Sequence, residues 1–237
     1  MPQLASLLVE IRACTHCAAH LPLGPRPVIR ASESARIMII GQAPGTRVHE
    51  TGIPWNDASG DRLRGWLQLD RETFYDETRI AIMPMGFCYP GVINDPRIGE
   101  KKPAGGGAGE TTKGSDGGIK KGGGAGDGNE ATNGGKKGKG DAPPRPECAP
   151  LWHERVWADL PNVRLTLLAG SYAQAHYLGA KRGKTLTETV RDYRNHLDEG
   201  FIPLPHPSWR TIGWQKQNLW FETELLPLVR ARVTALL

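Results

Sequence analysis

One stretch of 40 residues, 101–140, limits most strongly what this chain can fold into. It holds 16 of the 30 glycines, eight lysines, four acids and no aromatic residue, and Ile119 is its one large aliphatic. A segment of that composition cannot bury enough apolar surface to offset its own ordering entropy. We therefore read 92–140 as a Gly/Lys-rich, disordered insert that a single domain spanning 1–237 must close across. The low hydrophobic content of the chain, 38%, is a local effect of this stretch rather than a sign of a poor core. The same holds for charge. Eight lysines against four acids put most of the net charge of +5 into the insert, so the remaining surface is close to neutral. As a passive extension the insert does nothing; as a cationic tether it adds salt-dependent affinity for phosphates.

The flanks alternate between short apolar runs and helical patterns. Leu4, Leu7, Leu8 and Ile11 have helical spacing and predict a helix over 3–13 that delivers Cys14 and Cys17 at its end. Ala35–Ile40 (ARIMII) reads as a buried strand running into the turn GQAPG, followed by a loop over 46–57. A helix starts near Ser59, read as its N-cap. Arg79–Met83 is a second strand. Beyond the insert, ECAPLWHERVWADL forms a helix with Leu151, Val156 and Trp157 inward. Val163–Ala169 and Phe201–Leu204 are further strands with a helix over 172–178 between them, and 215–235 is a last helix. Strands alternating with helices predict an α/β fold: a central, mainly parallel four-stranded sheet flanked by helices. Ligands of such sheets sit beyond the carboxyl ends of the strands. Both GQAPG and the later HPSWR fall there.

No run of apolar residues is long enough to span a membrane. The N-terminus lacks a basic region and a small-residue cleavage site, so the expectation is a cytoplasmic protein. In that reducing compartment Cys14, Cys17, Cys88 and Cys148 point to metal or cluster ligation over disulfides. Cys14 and Cys17 form a C-x2-C bite, and four thiolates suit either a tetrahedral zinc ion or a [4Fe–4S] cluster.

Three segments carry chemistry. GQAPG is either a tight strand-to-helix turn or a place where backbone approaches a ligand. His206 in HPSWR, between a strand end and a proline-fixed turn, faces the same crevice, where a neutral imidazole donates a hydrogen bond to a developing anion. IPWNDASGD places Asp57 and Asp61 at a helix start behind Trp55. These acids either complement the helix N-terminus or orient a water, and Trp55 is either core or a wall for a flat ring.

Together these segments resemble the uracil-DNA glycosylase superfamily, and within it the iron–sulfur branch of bacterial and archaeal families four and five. GQAPG is similar to the first family motif, HPSWR to the second, IPWNDASGDRL to the segment that supplies the stacking aromatic and the family-five aspartate, and the four cysteines to the cluster ligands. The resemblance implies a monofunctional glycosylase that flips uracil out of DNA and hydrolyses the N-glycosidic bond, as a monomer acting on uracil-containing DNA. It implies Asp57 and His206 as catalytic residues, with Asp61 as the alternative acid. Gln42, Ala43, Trp55 and Asn56 would receive the base; Ser208, Trp209 and Arg210 would grip the DNA; and Cys14, Cys17, Cys88 and Cys148 would hold a [4Fe–4S] cluster, with zinc as the alternative metal. Two features depart from the family. Ala43 stands where the first motif commonly has an acid, and Met83–Gly86 stand where an Asn reads uracil. They leave open a lesion- or abasic-site-binding relative with weak or no activity. A covalent uracil-DNA trap is the other alternative, although its basic-loop His has no counterpart in 92–102.

Overall fold

The structure, a computed structural model, describes residues 3–93 and 140–237. Four short strands form one sheet: β1 (Ile37–Ile40), β2 (Ile80–Ile82), β3 (Leu165–Ala169) and β4 (Phe201–Leu204). Their order is β2-β1-β3-β4 and every pairing is parallel. Ile37 lies opposite both Ile80 and Leu165, and Leu168 lies opposite Pro203. A proline is tolerated there because β4 is an edge strand, with one side free of ladder bonds.

The helices are α1 (Gln3–Arg12), α2 (Thr46–Thr51), α3 (Ala58–Leu67), α4 (Arg71–Tyr75), α5 (Cys148–Ala158), α6 (Ser171–Leu178), α7 (Leu186–Arg191), α8 (Thr211–Gln217) and α9 (Leu226–Thr234). Side chains alternate across a strand, so each strand feeds two cores. Met38, Ile40, Ala81 and Leu168 pack with Leu4, Leu8 and Ile11 of α1 and Trp152 and Val156 of α5. Ile37, Ile39, Ile80, Leu167 and Ile202 pack on the other face with Leu63 and Trp66 of α3 and Val229 and Val233 of α9. β1 and β2 run one way across the sheet, and β3 and β4 are added on the opposite side of β1. The crevice at this switch point, beyond the carboxyl ends of the strands, is where such sheets bind ligands.

The expected α/β architecture is present, with corrections in detail. The segment 46–57 is not all loop: it contains α2, whose end is closed by left-handed Gly52. The N-cap of α3 is Asp57, not Ser59: its carboxylate accepts a 2.8 Å hydrogen bond from the Gly60 amide. On α5 Leu151 is exposed, whereas Trp152 and His153 face inward with Val156. The last helix is broken. α8 ends at Gln217 with Asn218 as its C-cap, a π turn covers Phe221–Leu225, and α9 follows.

Most of the expected insert lies outside the described residues. Its edges do not behave as composition suggested, however. Ile93 donates to the Gly140 carbonyl at 2.9 Å, Ala142 donates to the Gly91 carbonyl at 2.8 Å, and Val92 bridges Asp141 in antiparallel fashion. Backbone pairing, which composition does not report, closes the base of the segment. No helix among the described residues is long and apolar enough to cross a membrane.

Candidate active site

A cavity of about 550 Å³, its open mouth included, lies beyond the strand ends. The turn after β1 (Gly41–Gly45) forms its floor, Pro84 follows β2, His206 follows β4, and Trp55, Asp57 and Ser59 come from the start of α3. Ala43 lines it, and no carboxylate stands at that turn position.

The turn is held by the segment after β2. Met85 and Gly86 donate to the carbonyls of Gly41 and Gln42 at 2.9 and 3.0 Å. The Gln42 side-chain amide donates to the Ala142 carbonyl at 3.3 Å.

Trp55 is fixed by three unusual features. Its backbone is left-handed, with φ 55°, a conformation that non-glycine residues rarely adopt. A Cβ on Gly41 would lie 2.6 Å from the Trp55 ring, and one on Gly60 would lie 1.7 Å from the Trp55 carbonyl oxygen. Both positions therefore exclude a side chain so that ring and peptide can pack against the backbone. Buried Arg64 then donates to that same carbonyl at 3.2 Å and to the Tyr75 hydroxyl at 3.1 Å. Strain of this kind persists only where the surroundings over-determine it, and it clusters at functional sites. The indole faces the imidazole of His206, with ring centroids 5.7 Å apart.

Asp57 caps α3 through Oδ1, the helix-start role that the sequence offered, and it also lines the cavity. Asp61 does not enter the cavity. Its side chain is 73% exposed and pairs with Arg64, so it supports Trp55 at one remove. Asn56 is also turned away: it donates to the Thr51 hydroxyl at 3.4 Å and accepts from Arg71 at 3.1 Å. His206 is pushed below the ordinary imidazole range, chiefly by burial; Arg210 adds to the effect and Asp57 opposes it. The neutral ring, able to donate a hydrogen bond, is the favoured form.

Ser208, Trp209 and Arg210 lie beyond the cavity lining, in the turn that leads into α8. Trp209 is 71% exposed, and the Arg210 guanidinium sits 5.4 Å from its ring centre. The cavity also contains a carboxylate that the sequence reading missed, Asp141. Burial and then the charge of Asp57 push its carboxyl above the ordinary range, while Arg210 pulls it back. The one signal in the sequence was an isolated acid at the end of the Gly/Lys-rich run, just before Pro143 and Pro144.

A second, smaller pocket is lined by Cys14, Cys17, Cys88 and Cys148 together with Leu21, Phe87 and Trp152. The four cysteines, drawn from the end of α1, the loop after β2 and the start of α5, therefore converge. The Phe87 amide donates to the Cys148 sulfur at 3.3 Å. Burial pushes the Cys88 thiol up to about 11 and the Cys148 thiol up to about 12. Among the described residues no group of three or more His, Cys, Asp or Glu is arranged to hold a metal ion.

His153 on α5 joins the two pockets. It is buried, with Nε2 3.1 Å from the Pro84 carbonyl and Nδ1 2.7 Å from the Tyr177 hydroxyl. A carbonyl only accepts, so Nε2 carries the proton and Nδ1 accepts from Tyr177. Burial and the nearby His176 lower its pKa to about 4.

Compared with known proteins, residues 29–230 match the family model described as the uracil DNA glycosylase superfamily. The match spans every strand and every residue named above as lining the cavity at the strand ends, but not Cys14, Cys17 and Leu21 of the second pocket, which precede it.

Proposed function

Because this chain belongs to the uracil DNA glycosylase superfamily, we propose that it is a monofunctional glycosylase that removes uracil from DNA by hydrolysis. The observation that carries this reading is the meeting of Trp55, Asp57 and His206 in one cavity at the strand ends. A base stacked in duplex is out of reach, so it must be extruded into such a pocket, at a cost of a few kcal/mol. Trp55 stacks on the extruded ring, with the Gln42–Ala43 turn beneath. Breaking the glycosidic bond builds positive charge on the sugar and negative charge on the departing base. Asp57, oriented by the Gly60 amide, stabilises the first; the neutral His206 donates a hydrogen bond to the second. Trp209 and Arg210, exposed beside the mouth, hold the DNA next to the lesion, and Ser208 bonds a phosphate.

The same four-cysteine set that resembles the family's cluster ligands supports a [4Fe–4S] cluster held by Cys14, Cys17, Cys88 and Cys148. The four cysteines line one apolar pocket. The cluster's contribution is structural: it ties α1 to α5 and to the loop after β2.

The test is single-turnover release of free uracil from a U·G duplex, together with iron and sulfide analysis of anaerobically purified protein. Ala43 favours a second reading, a relative that binds lesions without cleaving. Tight binding of uracil-DNA with no release of base would establish that reading instead.

A further inference from the structure

Asp141 is held in place despite its position at the edge of the described residues. The pairing of Gly91–Ile93 with 140–142 fixes its backbone, and the Gln42 amide anchors the next carbonyl. Arg210 reaches over the same strand: a Cβ on Gly140 would lie 3.4 Å from its guanidinium nitrogen. The residue as a whole is exposed at the mouth of the cavity, but its carboxyl turns toward the first motif.

The decisive geometry is at Gly45. The point where a side chain would begin there lies 3.7 Å from Asp141 Oδ2 and 3.9 Å from Asp57 Oδ2. Two carboxylate oxygens from different segments therefore face one point, and glycine leaves that point empty of side-chain atoms. Asp57 spends its other oxygen on the Gly60 amide. A water seated over the Gly45 backbone, between the two oxygens, has an acceptor on either side, and a side chain at Gly45 would crowd it. In inverting glycoside hydrolysis a single carboxylate activates the attacking water as general base.

We propose that Asp141 is a further catalytic residue of this pocket, the base that takes the proton of the attacking water, leaving Asp57 to stabilise the sugar cation. This rests on the glycosylase reading above. In the step, the bond between water oxygen and C1′ forms while the bond from C1′ to the base nitrogen breaks. Uracil leaves with the electron pair, and the water proton passes to the Asp141 carboxylate. Asp141 then returns that proton to solvent and the uracil anion takes one up, so that one water is consumed. The upward push on Asp141 from burial and from Asp57 suits the acid that must hold a proton. Two acids with different surroundings divide into a proton carrier and a charge stabiliser.

The experiment is single-turnover cleavage of a U·G duplex in water containing methanol as competing nucleophile. It follows both the rate and the ratio of methyl glycoside to abasic sugar. Asp141→Ala and Asp141→Asn are both expected to lower the rate by roughly 100-fold, the scale of a lost general base, to shift the product ratio, and to leave uracil-DNA affinity unchanged. Gly45→Ala keeps both acids, and its backbone (φ −80°) accepts alanine. Its methyl fills the shared point, so it too is expected to slow cleavage and shift the ratio, which keeps the test valid if the Asp141 variants fold poorly. A wild-type rate in Asp141→Asn overturns the proposal, as does a rate loss with an unchanged ratio or an unaffected Gly45→Ala. Absence of base release by the wild type overturns the glycosylase reading itself, and this role with it.

Discussion

At the strand ends, Trp55, Asp57 and His206 are each held by contacts within the folded chain. Gly41 and Gly60 leave room for an indole, a helix start orients an acid, and a strand end presents a histidine. In the thiol pocket, by contrast, no single stretch of chain sets the geometry. Cys14, Cys17, Cys88 and Cys148 arrive from three distant segments and meet in an apolar hollow whose burial disfavours the thiolate. The difference teaches where each site draws its order. The cavity is preorganised by strain and hydrogen bonds that the fold supplies by itself. The thiol pocket brings together groups whose charged forms become favourable only when a cation is present. Damage to the first should remove chemistry and spare the fold; damage to the second should do the reverse.

Five substitutions, in four tests, probe that contrast in falling order of expected effect. Asp57→Asn and His206→Ala should each lower single-turnover uracil release by on the order of 10²–10³-fold, the scale of one lost electrostatic group, with melting temperature and uracil-DNA affinity little changed. Their double mutant should lose less than the product of the two, because groups that act as a unit are not additive. A full rate in Asp57→Asn would remove the acid from the mechanism.

Cys88→Ser should give colourless protein that lacks iron and melts roughly 10 °C lower or more, while any folded fraction keeps a normal cleavage step. Finding one zinc and no iron in the wild type would overturn the cluster assignment.

The third test concerns the residue between the two sites. The pKa of His153 falls from 6.5 to about 4 on folding, so the unfolded chain binds the extra proton between those values. Stability from this residue is therefore complete above pH 6.5 and lost as pH falls toward 4, by about 3 kcal/mol in all. His153→Gln should flatten the decline of urea-unfolding free energy over that window; an unchanged slope would show that the histidine does not carry it. The smallest effect belongs to Asp61→Asn. It weakens a mostly exposed pair with Arg64, so uracil release should fall by no more than about threefold. A loss as large as that of Asp57→Asn would transfer the acid role to Asp61.

Much of this was legible in the residues. Short continuous apolar runs carried the strands, because a parallel strand buried on both faces must be apolar on both. The short turns GQAPG and HPSWR were readable because their chemistry is local. The partners of Asn56, Thr51 and Arg71, were not legible, because Trp55 before it adopts a left-handed backbone that no local pattern announces. Leu151 was misjudged because a helix with apolar residues on more than one side does not declare which stripe its neighbours will cover.

Sequence by itself determined the α/β class, the two motifs at the strand ends, the candidate acid and histidine, and the set of four cysteines. Each of these depends on residue type and short-range spacing. Tertiary structure alone decided that Asp57 both caps a helix and faces the cavity, that Asp61 serves Arg64, and that Asp141 joins the pocket from the far side of the Gly/Lys-rich segment. Those outcomes depend on which distant backbones pair. The hydrogen bonds of Ile93 with Gly140 and of Ala142 with Gly91 bring together residues that no local pattern connects, because a closing loop costs little more entropy as it lengthens.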